Sequence, residues 1–410
     1  MKTTPVKGTN DYMPKEAELR DYLQGEILRT YTSQGFRRIY TPILEDISNL
    51  EHSDGGDNLS LIFKVLKRGE KLASAIEKGD DLADMGLRYD LTLPLSRFYA
   101  EHNANLPIPF KVIQMDRVYR AERPQKGRSR EFVQCDIDIL GSNSINCEIE
   151  LIHTTASALL NIGIKNFCIE INNRALLKKV LAFCGFDEKD FDSVCITFDK
   201  LDKIGADGVI SELVSKGYNE NAIKSFEKIV RKPPSTLAEV KLLTGECEEV
   251  SSIEKITTAI ECLSKGKYEI KFNLSLVRGQ GYYTGCVFEI KSADYHCSIG
   301  GGGRYDGLVS KFIGKDVPAV GFSIGFERIY SILAEKNVKI PHKPRLAVIY
   351  EEENFVESMA FAEKQKESYD ISLFACPKKL GKLLSCLEED GFCAYVVIGE
   401  GKEIKKLGKK

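Results

Sequence analysis

Apolar residues near the start of the chain recur at every fourth position. Leu19, Leu23, Ile27 and Tyr31 fall on one face of a 3.6-residue period, and Gly35 follows where a left-handed cap closes a helix. The spacing predicts a helix over 15–34. FRRIYTPILE (36–45) is β-branched and aromatic, and reads as a strand interrupted at Pro42, which cannot donate to a ladder. Residues 50–85 are polar and rich in Gly and Asp, predicting a hairpin followed by a loop. Over 108–140 the pattern alternates: PFKVIQMDRVYRAE, the charged turn ERPQKGRSR, then EFVQCDIDILG. That is two antiparallel strands joined by a hairpin loop.

A helix over 145–162 leads to a strand at 167–171. From 174 to 265 the pattern becomes amphipathic and helical (RALLKKVLAFCGF, NAIKSFEKIV), which predicts a helical insertion. Strands resume at 269–277 and 284–291, followed by the glycines 300–303 and by VPAVGFSIGFERIYSIL, a strand running into a helix. EKNVKIPHKPR (335–345) reads as a linker by its Pro and Lys content. Beyond it RLAVIY, a helix near 354–369, DISLFAC, a helix near 379–389 and CAYVVIG alternate β-α-β-α-β, the pattern of a small, mostly parallel α/β domain. The units expected are therefore a core at 1–173, an insertion at 174–265, a return to the core at 266–334 and a terminal domain at 345–410.

Composition narrows the class without naming a chemistry. The 410 residues are 43% hydrophobic and 29% charged with a net charge of -2, a globular balance that suggests two to four domains. No stretch approaches the roughly 18 apolar residues of a membrane span. The opening MKTTPVKGTNDYMPKE has no apolar signal core, which predicts a cytoplasmic protein. The 12 cysteines are scattered with no CxxC, so reduced core thiols are expected, and the 5 histidines form no HxxxH, so no structural zinc is expected. Near-zero net charge leaves room for a local phosphate-binding patch.

Two glycine segments invite a nucleotide-loop reading. In RGQGYYTG (278–285) the third glycine comes one residue late for GxGxxG and no helix follows. GGGGRYDG (300–307) lacks a GK[ST] ending, leaving a tight turn or a close approach of backbone to a ligand. The arginines are more informative. Arg120 ends a strand, Arg128 and Arg130 lie in the hairpin, Arg278 opens a glycine segment and Arg328 begins the last helix of the core. Converging guanidinium groups bind phosphate oxygens in bidentate fashion and suit a triphosphate.

These residues carry a resemblance. VYRAERPQKGRSREFVQCDIDILG resembles motif 2 of the class II aminoacyl-tRNA synthetases, AVGFSIGFERI resembles motif 3, and FRRIYTPILE resembles motif 1 with its proline. LVRGQGYYTG, GGGGRYDG and LRYDLTLPLSRF (87–98) resemble signatures of the histidyl-tRNA synthetase family, in the order that family has them. The resemblance implies an α+β fold: an antiparallel sheet core flanked by helices, a helical insertion, and a small C-terminal α/β domain similar to an anticodon-binding domain. It implies histidine, ATP with Mg²⁺ and tRNA(His) as substrates and partners, a homodimer, and no organic cofactor. Arg120 would hold the α-phosphate, Glu122 would read the adenine amino group and Phe132 would stack on adenine. Arg128 and Arg328 would clamp the β- and γ-phosphates. Asp90, Thr92 and Gln134 would take the amino group of histidine. Asp138 and Tyr283 would bond the imidazole beside Tyr282, and Arg278 would reach the α-phosphate from the other side. The chemistry fits: in adenylation the amino acid's own carboxylate attacks phosphorus, so the protein must supply position and charge stabilisation.

The chain departs from the family pattern at Gln280-Gly281, where RGLDYYTG is usual, and at Ser129, where tyrosine is usual; altered histidine affinity is the expectation. The terminal domain is read as stopping soon after its third strand, with the lysine-rich GKEIKKLGKK as a solvated tail or a tRNA-phosphate contact. Two alternatives stand beside a ligase: a histidine-sensing relative of the ATP phosphoribosyltransferase regulatory subunit, and a relative that makes the adenylate without charging tRNA. The regulatory relatives generally lose the ATP-binding arginines, whereas Arg120, Arg128, Arg278 and Arg328 are all present here.

Overall fold

The structure, a computed structural model, describes residues 1–51, 56–124, 128–277, 282–295, 298–336, 338 and 340–408. Helix α1 (Pro14–Ser33) forms on the four-residue apolar spacing. Leu23, Ile27 and Tyr31 are fully buried, Glu16 accepts the Met13 N–H at 2.7 Å, and Gly35 takes φ 86° past the end. Pro42 splits the next segment between two sheets. Strand β1 (Arg37–Arg38) joins the large sheet beside Val112 and Ile113, while β2 (Leu44–Asp46) leaves for a three-stranded sheet.

That small sheet corrects the expected hairpin and loop over 50–85. After α2 (Ile47–Glu51), strands β3 (Lys64–Leu66) and β4 (Ala83–Leu87) do pair antiparallel, but α3 (Glu70–Lys78) lies between them, closed by Gly79 at φ 71°. Its apolar positions Leu72, Ala75 and Ile76 stand at i, i+3 and i+4, a short helical period hidden in a polar stretch.

The chain continues through α4 (Thr92–His102), β5 (Phe110–Tyr119), β6 (Glu131–Leu140), α5 (Asn146–Asn161) and β7 (Phe167–Asn173). The stretch to β8 (Glu269–Phe272) is occupied by α6 (Arg174–Cys184), α7 (Phe191–Phe198), α8 (Leu201–Ser215), α9 (Glu220–Arg231), α10 (Leu237–Thr244) and α11 (Glu248–Ser264). Strand β8 ends earlier than the expected 277, because the Asn273 carboxamide oxygen accepts both the N–H and the hydroxyl of Ser275 and turns the chain. Then come β9 (Cys286–Ser292), β10 (Ser298–Arg304), α12 (Asp306–Ile313), β11 (Ala319–Gly325) and α13 (Phe326–Glu335). Glycines 300–303 thus form no tight turn; they lie within a buried central strand.

The large sheet runs β1-β5-β6-β11-β10-β9-β7-β8, antiparallel except where β1 meets β5 and β7 meets β8. One face is covered by helices. Cys135, Ile137 and Ile139 of β6 are fully buried there with Leu23 and Ile27 of α1 and Leu151 and Leu159 of α5. Each such aliphatic side chain contributes roughly 1.5–3 kcal/mol by leaving water. The alternate residues of β6 face the other way, and the site is built on them.

The chain divides into two compact units, residues 1–337 and 338–410. The second contains β12 (Arg345–Tyr350), α14 (Phe355–Gln365), β13 (Asp370–Ala375), α15 (Leu380–Glu389), β14 (Ala394–Ile398) and β15 (Lys405–Lys406), in the order β13-β12-β14-β15. The first three strands are parallel around Leu346, Val348, Val396 and Ile398. Part of the lysine-rich end is strand rather than tail, since Lys405 and Lys406 pair antiparallel with Tyr395 and Ala394. Among the described residues no helix is long and apolar enough to cross a membrane.

Candidate active site

A two-residue period sends Phe132, Gln134, Asp136 and Asp138 of β6 to the open face of the sheet. Across the sheet in register lie Gly325, Ser323 and Gly321 of β11, and beyond them Gly301 and Gly303 of β10. The glycines clear a floor. A Cβ on Gly321 would stand 1.9 Å from Asp138 Oδ1, and one on Gly303 would stand 2.9 Å from the Tyr283 ring. Above this floor opens a cavity of about 590 Å³.

At one end of the cavity are Arg120, Glu122, Arg128, Phe132 and Arg328. Arg120 Nε donates to Tyr89 O at 2.9 Å, and its guanidinium carbon lies 5.1 Å from the Phe132 ring centre. Arg128 pairs with Glu122 at 3.0 Å, and Arg328 Nη1 donates to Ser298 O. At the other end are Asp90, Thr92, Gln134, Asp138, Tyr282 and Tyr283. Asp90 Oδ1 accepts the Leu93 N–H at 3.2 Å, tying it to the first turn of α4, and Tyr305 Oη donates to Asp138 Oδ1 at 2.6 Å. Arg278, Gln280 and Gly281 lie outside the described residues; Ser129 lines the cavity.

Three carboxylates are buried in this second end. Burial pushes Asp138 up to about 7, with the Asp90 charge adding to it and the Tyr305 hydroxyl opposing it. Burial pushes Asp90 up to about 6, against the Leu93 N–H and the Arg120 charge. Asp136 is driven well above the usual carboxylate range by burial and by Asp138. The arrangement has arginines for phosphate at one end and an acidic, hydroxyl-lined hole for a cationic or N–H-rich group at the other.

The histidyl-tRNA synthetase family model matches residues 8–329. The chain belongs to the histidyl-tRNA synthetase family. It is 44% identical to a histidine–tRNA ligase of Leifsonia xyli subsp. xyli over 80% of each chain. It is 32% identical to a histidine–tRNA ligase of Cytophaga hutchinsonii over 96% of this chain and 92% of that one. The crystal structure of histidyl-tRNA synthetase from Nostoc sp. PCC 7120 superposes with a TM-score of 0.80 at 27% identity, covering 97% of this chain and 92% of that one.

The histidyl-tRNA synthetase fold also draws in residues that the sequence did not mark. Asp136 sits between Gln134 and Asp138 on the same face, so strand alternation alone could have found it. Tyr305 stands in the quoted GGGGRYDG without an assigned role. Arg88, fully buried two residues before Asp90, donates to Arg117 O at 2.9 Å and Thr41 O at 2.8 Å, and lies 2.8 Å from the Asp116 carboxylate. It thereby locks the Asp90 loop to β5 and to the Pro42 turn. Arg20 of α1 grips Glu327 through bonds of 2.7 and 2.8 Å, and Glu327 Oε1 also accepts the Val133 N–H at 3.1 Å, beside Phe132. A separation of 307 residues leaves no local signal for that pair.

Proposed function

We propose that the chain is a histidine–tRNA ligase. It joins histidine to the α-phosphate of ATP with release of pyrophosphate, then passes the histidyl group from the adenylate to a hydroxyl of the terminal ribose of tRNA(His) with release of AMP. One observation carries the reading: phosphate-type arginines and a buried carboxylate–tyrosine hole share a single cavity on one sheet face, in a chain of this family.

A carboxylate oxygen of histidine attacks the α-phosphorus, and the bond to the β-phosphate oxygen breaks. No side-chain nucleophile takes part. Arg120, steadied by Tyr89 O, meets the α-phosphate and stabilises the charge that develops there, with Arg278 assigned the opposite side by resemblance. Phe132 stacks on adenine and Glu122 accepts its amino group, while Arg128 and Arg328 hold the β- and γ-phosphates. Asp138, one oxygen already bonded to Tyr305, accepts an imidazole N–H with the other, and Tyr283 bonds the ring beside Tyr282. Apolar amino acids are rejected because they would leave these buried polar groups unpaired. Asp90, Thr92 and Gln134 receive the ammonium group.

Magnesium accompanies ATP in this reading, and when bound it neutralises phosphate charge. Glu170 and Glu289, opposite each other on β7 and β9 and lining the same cavity, would be oxygen donors of the kind it takes; in the ligand-free protein Glu170 meets Asn273 Nδ2 at 2.7 Å and Lys291 Nζ at 3.2 Å. A homodimer through the motif 1 region is part of the same proposal, supported there by the exposed apolar side chains of Tyr40, Ile43 and Leu44.

Histidine-dependent exchange of pyrophosphate into ATP, with Arg120→Ala and Arg278→Ala as controls, tests the first step, and charging of tRNA(His) tests the second. Absence of exchange in the native protein overturns the reading. Exchange without charging leaves an adenylate-forming relative.

A further inference from the structure

The cavity holds a carboxylate to which the mechanism gives no task. Asp136 is 4% exposed and lines the cavity between Gln134 and Asp138. Its Oδ1 has no hydrogen-bond partner among the described residues, and neither has Oε1 of Gln134, the neighbouring residue on the same face. The two side chains converge: Gln134 Nε2 lies 3.5 Å from Asp136 Oδ2 and 3.3 Å from Ser323 Oγ.

Buried acceptors left unpaired are costly, and native proteins keep few of them. Two such oxygens on neighbouring cavity-lining side chains call for a ligand that donates more than one N–H, and the carboxylate calls for one that is positively charged. An ammonium group meets both demands, with three donors around one charge. The groups facing Asp136 leave that place open. Asp138 is engaged by Tyr305 and Asp90 adds negative charge nearby; the Ser323 hydroxyl reaches the Asp136 carboxylate but leaves Oδ1 without a partner, and Arg120, whose charge acts on Asp136, has its Nε committed to Tyr89 O. Burial and the charges of Asp138 and Asp90 raise the proton affinity of Asp136 against the opposing Ser323 hydroxyl and Arg120 charge, so its ionised form is disfavoured in the ligand-free protein.

We propose that Asp136 is a substrate-binding residue that receives the α-ammonium group of the amino acid together with Asp90 and Gln134. The proposal rests on the ligase reading and adds to it a third acceptor for the ammonium, one that sets affinity for ligands carrying that group.

The test compares two ligands on Asp136→Asn by titration calorimetry: L-histidine, and 3-(imidazol-4-yl)propionate, which lacks the ammonium group. Histidine is expected to bind about 10- to 100-fold more weakly, the range of a lost charge-assisted hydrogen bond. The deamino compound should stay within about twofold of its native affinity, and the thermal midpoint of the ligand-free protein should hold or rise. Equal weakening of both ligands, or unchanged histidine affinity, overturns the proposal. Asp136→Ser, also uncharged, is judged by the same criteria and decides the matter if the Asn variant does not fold. A native protein that neither binds histidine nor exchanges pyrophosphate overturns the ligase reading itself; native binding with an unaffected variant removes only the role of Asp136.

Discussion

The hydroxyl of Tyr305 donates a 2.6 Å hydrogen bond to Oδ1 of Asp138 across 167 residues of chain. Both side chains are almost fully buried, and the bond holds the carboxylate in one rotamer above Gly321. Because the hydroxyl stabilises the ionised form, its removal should push the Asp138 carboxyl higher still. Tyr305→Phe is therefore expected to raise the KM for histidine about tenfold or more, in line with roughly 1.5–3 kcal/mol for a hydrogen bond to a charged group. The KM for ATP should change little, and steady-state exchange kinetics measure both.

Gly321→Ala provides a steric test of the same floor. Gly321 is in a regular strand with no positive φ, so alanine is tolerated by the backbone, but its methyl would lie 1.9 Å from Asp138 Oδ1. Histidine binding should fall by at least about 100-fold as Asp138 is driven off its rotamer. Circular dichroism should still show a folded chain; native-like affinity would refute the placement of Asp138.

Stability should depend on pH in a direction set by the raised carboxylates. Asp90 near 6 and Asp138 near 7 hold their protons in the folded chain at pH values where the unfolded chain has released them. The folded state then binds more protons, so the contribution of these groups is full below about pH 4 and is lost as pH rises through 6 to 7. Asp138→Asn removes one of them. Its ligand-free thermal midpoint should exceed that of the native protein at pH 8, and the difference should shrink towards pH 5, as read by calorimetry across that range.

The Arg20–Glu327 pair is predicted to act on ATP through the backbone. Glu327 holds the Val133 N–H beside Phe132 and precedes Arg328 on α13. Breaking a largely buried pair leaves an uncompensated charge, so Arg20→Ala should destabilise the chain by about 3–5 kcal/mol in denaturant unfolding. Arg20→Lys keeps the charge but not the two-pronged grip, and should retain stability better while still raising the KM for ATP. An unchanged KM in a folded Arg20→Lys variant would limit the pair to a structural role.

Local pattern alone settled much of this protein. The period of four in α1, the alternation of β5 and β6 and the β-α-β-α-β terminus each concern neighbours along the chain, and backbone geometry converts such spacing directly into elements. The order of the arginine and tyrosine motifs also singled out residues that the fold brings to one cavity, Arg120 and Asp138 among them. What local pattern could not decide was which distant segments meet. Pro42 ends a strand by its own chemistry, but only the tertiary structure sends Arg37 and Leu44 to different sheets. The glycines of β10 read as a tight turn or a close approach to a ligand until β9 and β11 are laid beside them, because the space they leave is bounded by Tyr283 and by the backbone of Cys286 and Gly321. The orphaned oxygen of Asp136, the buried anchor Arg88 and the grip of Arg20 on Glu327 depend on burial and on separations of up to 307 residues. Burial and long-range contact come from packing the sheet as a whole, and that is why this part of the site became visible only in three dimensions.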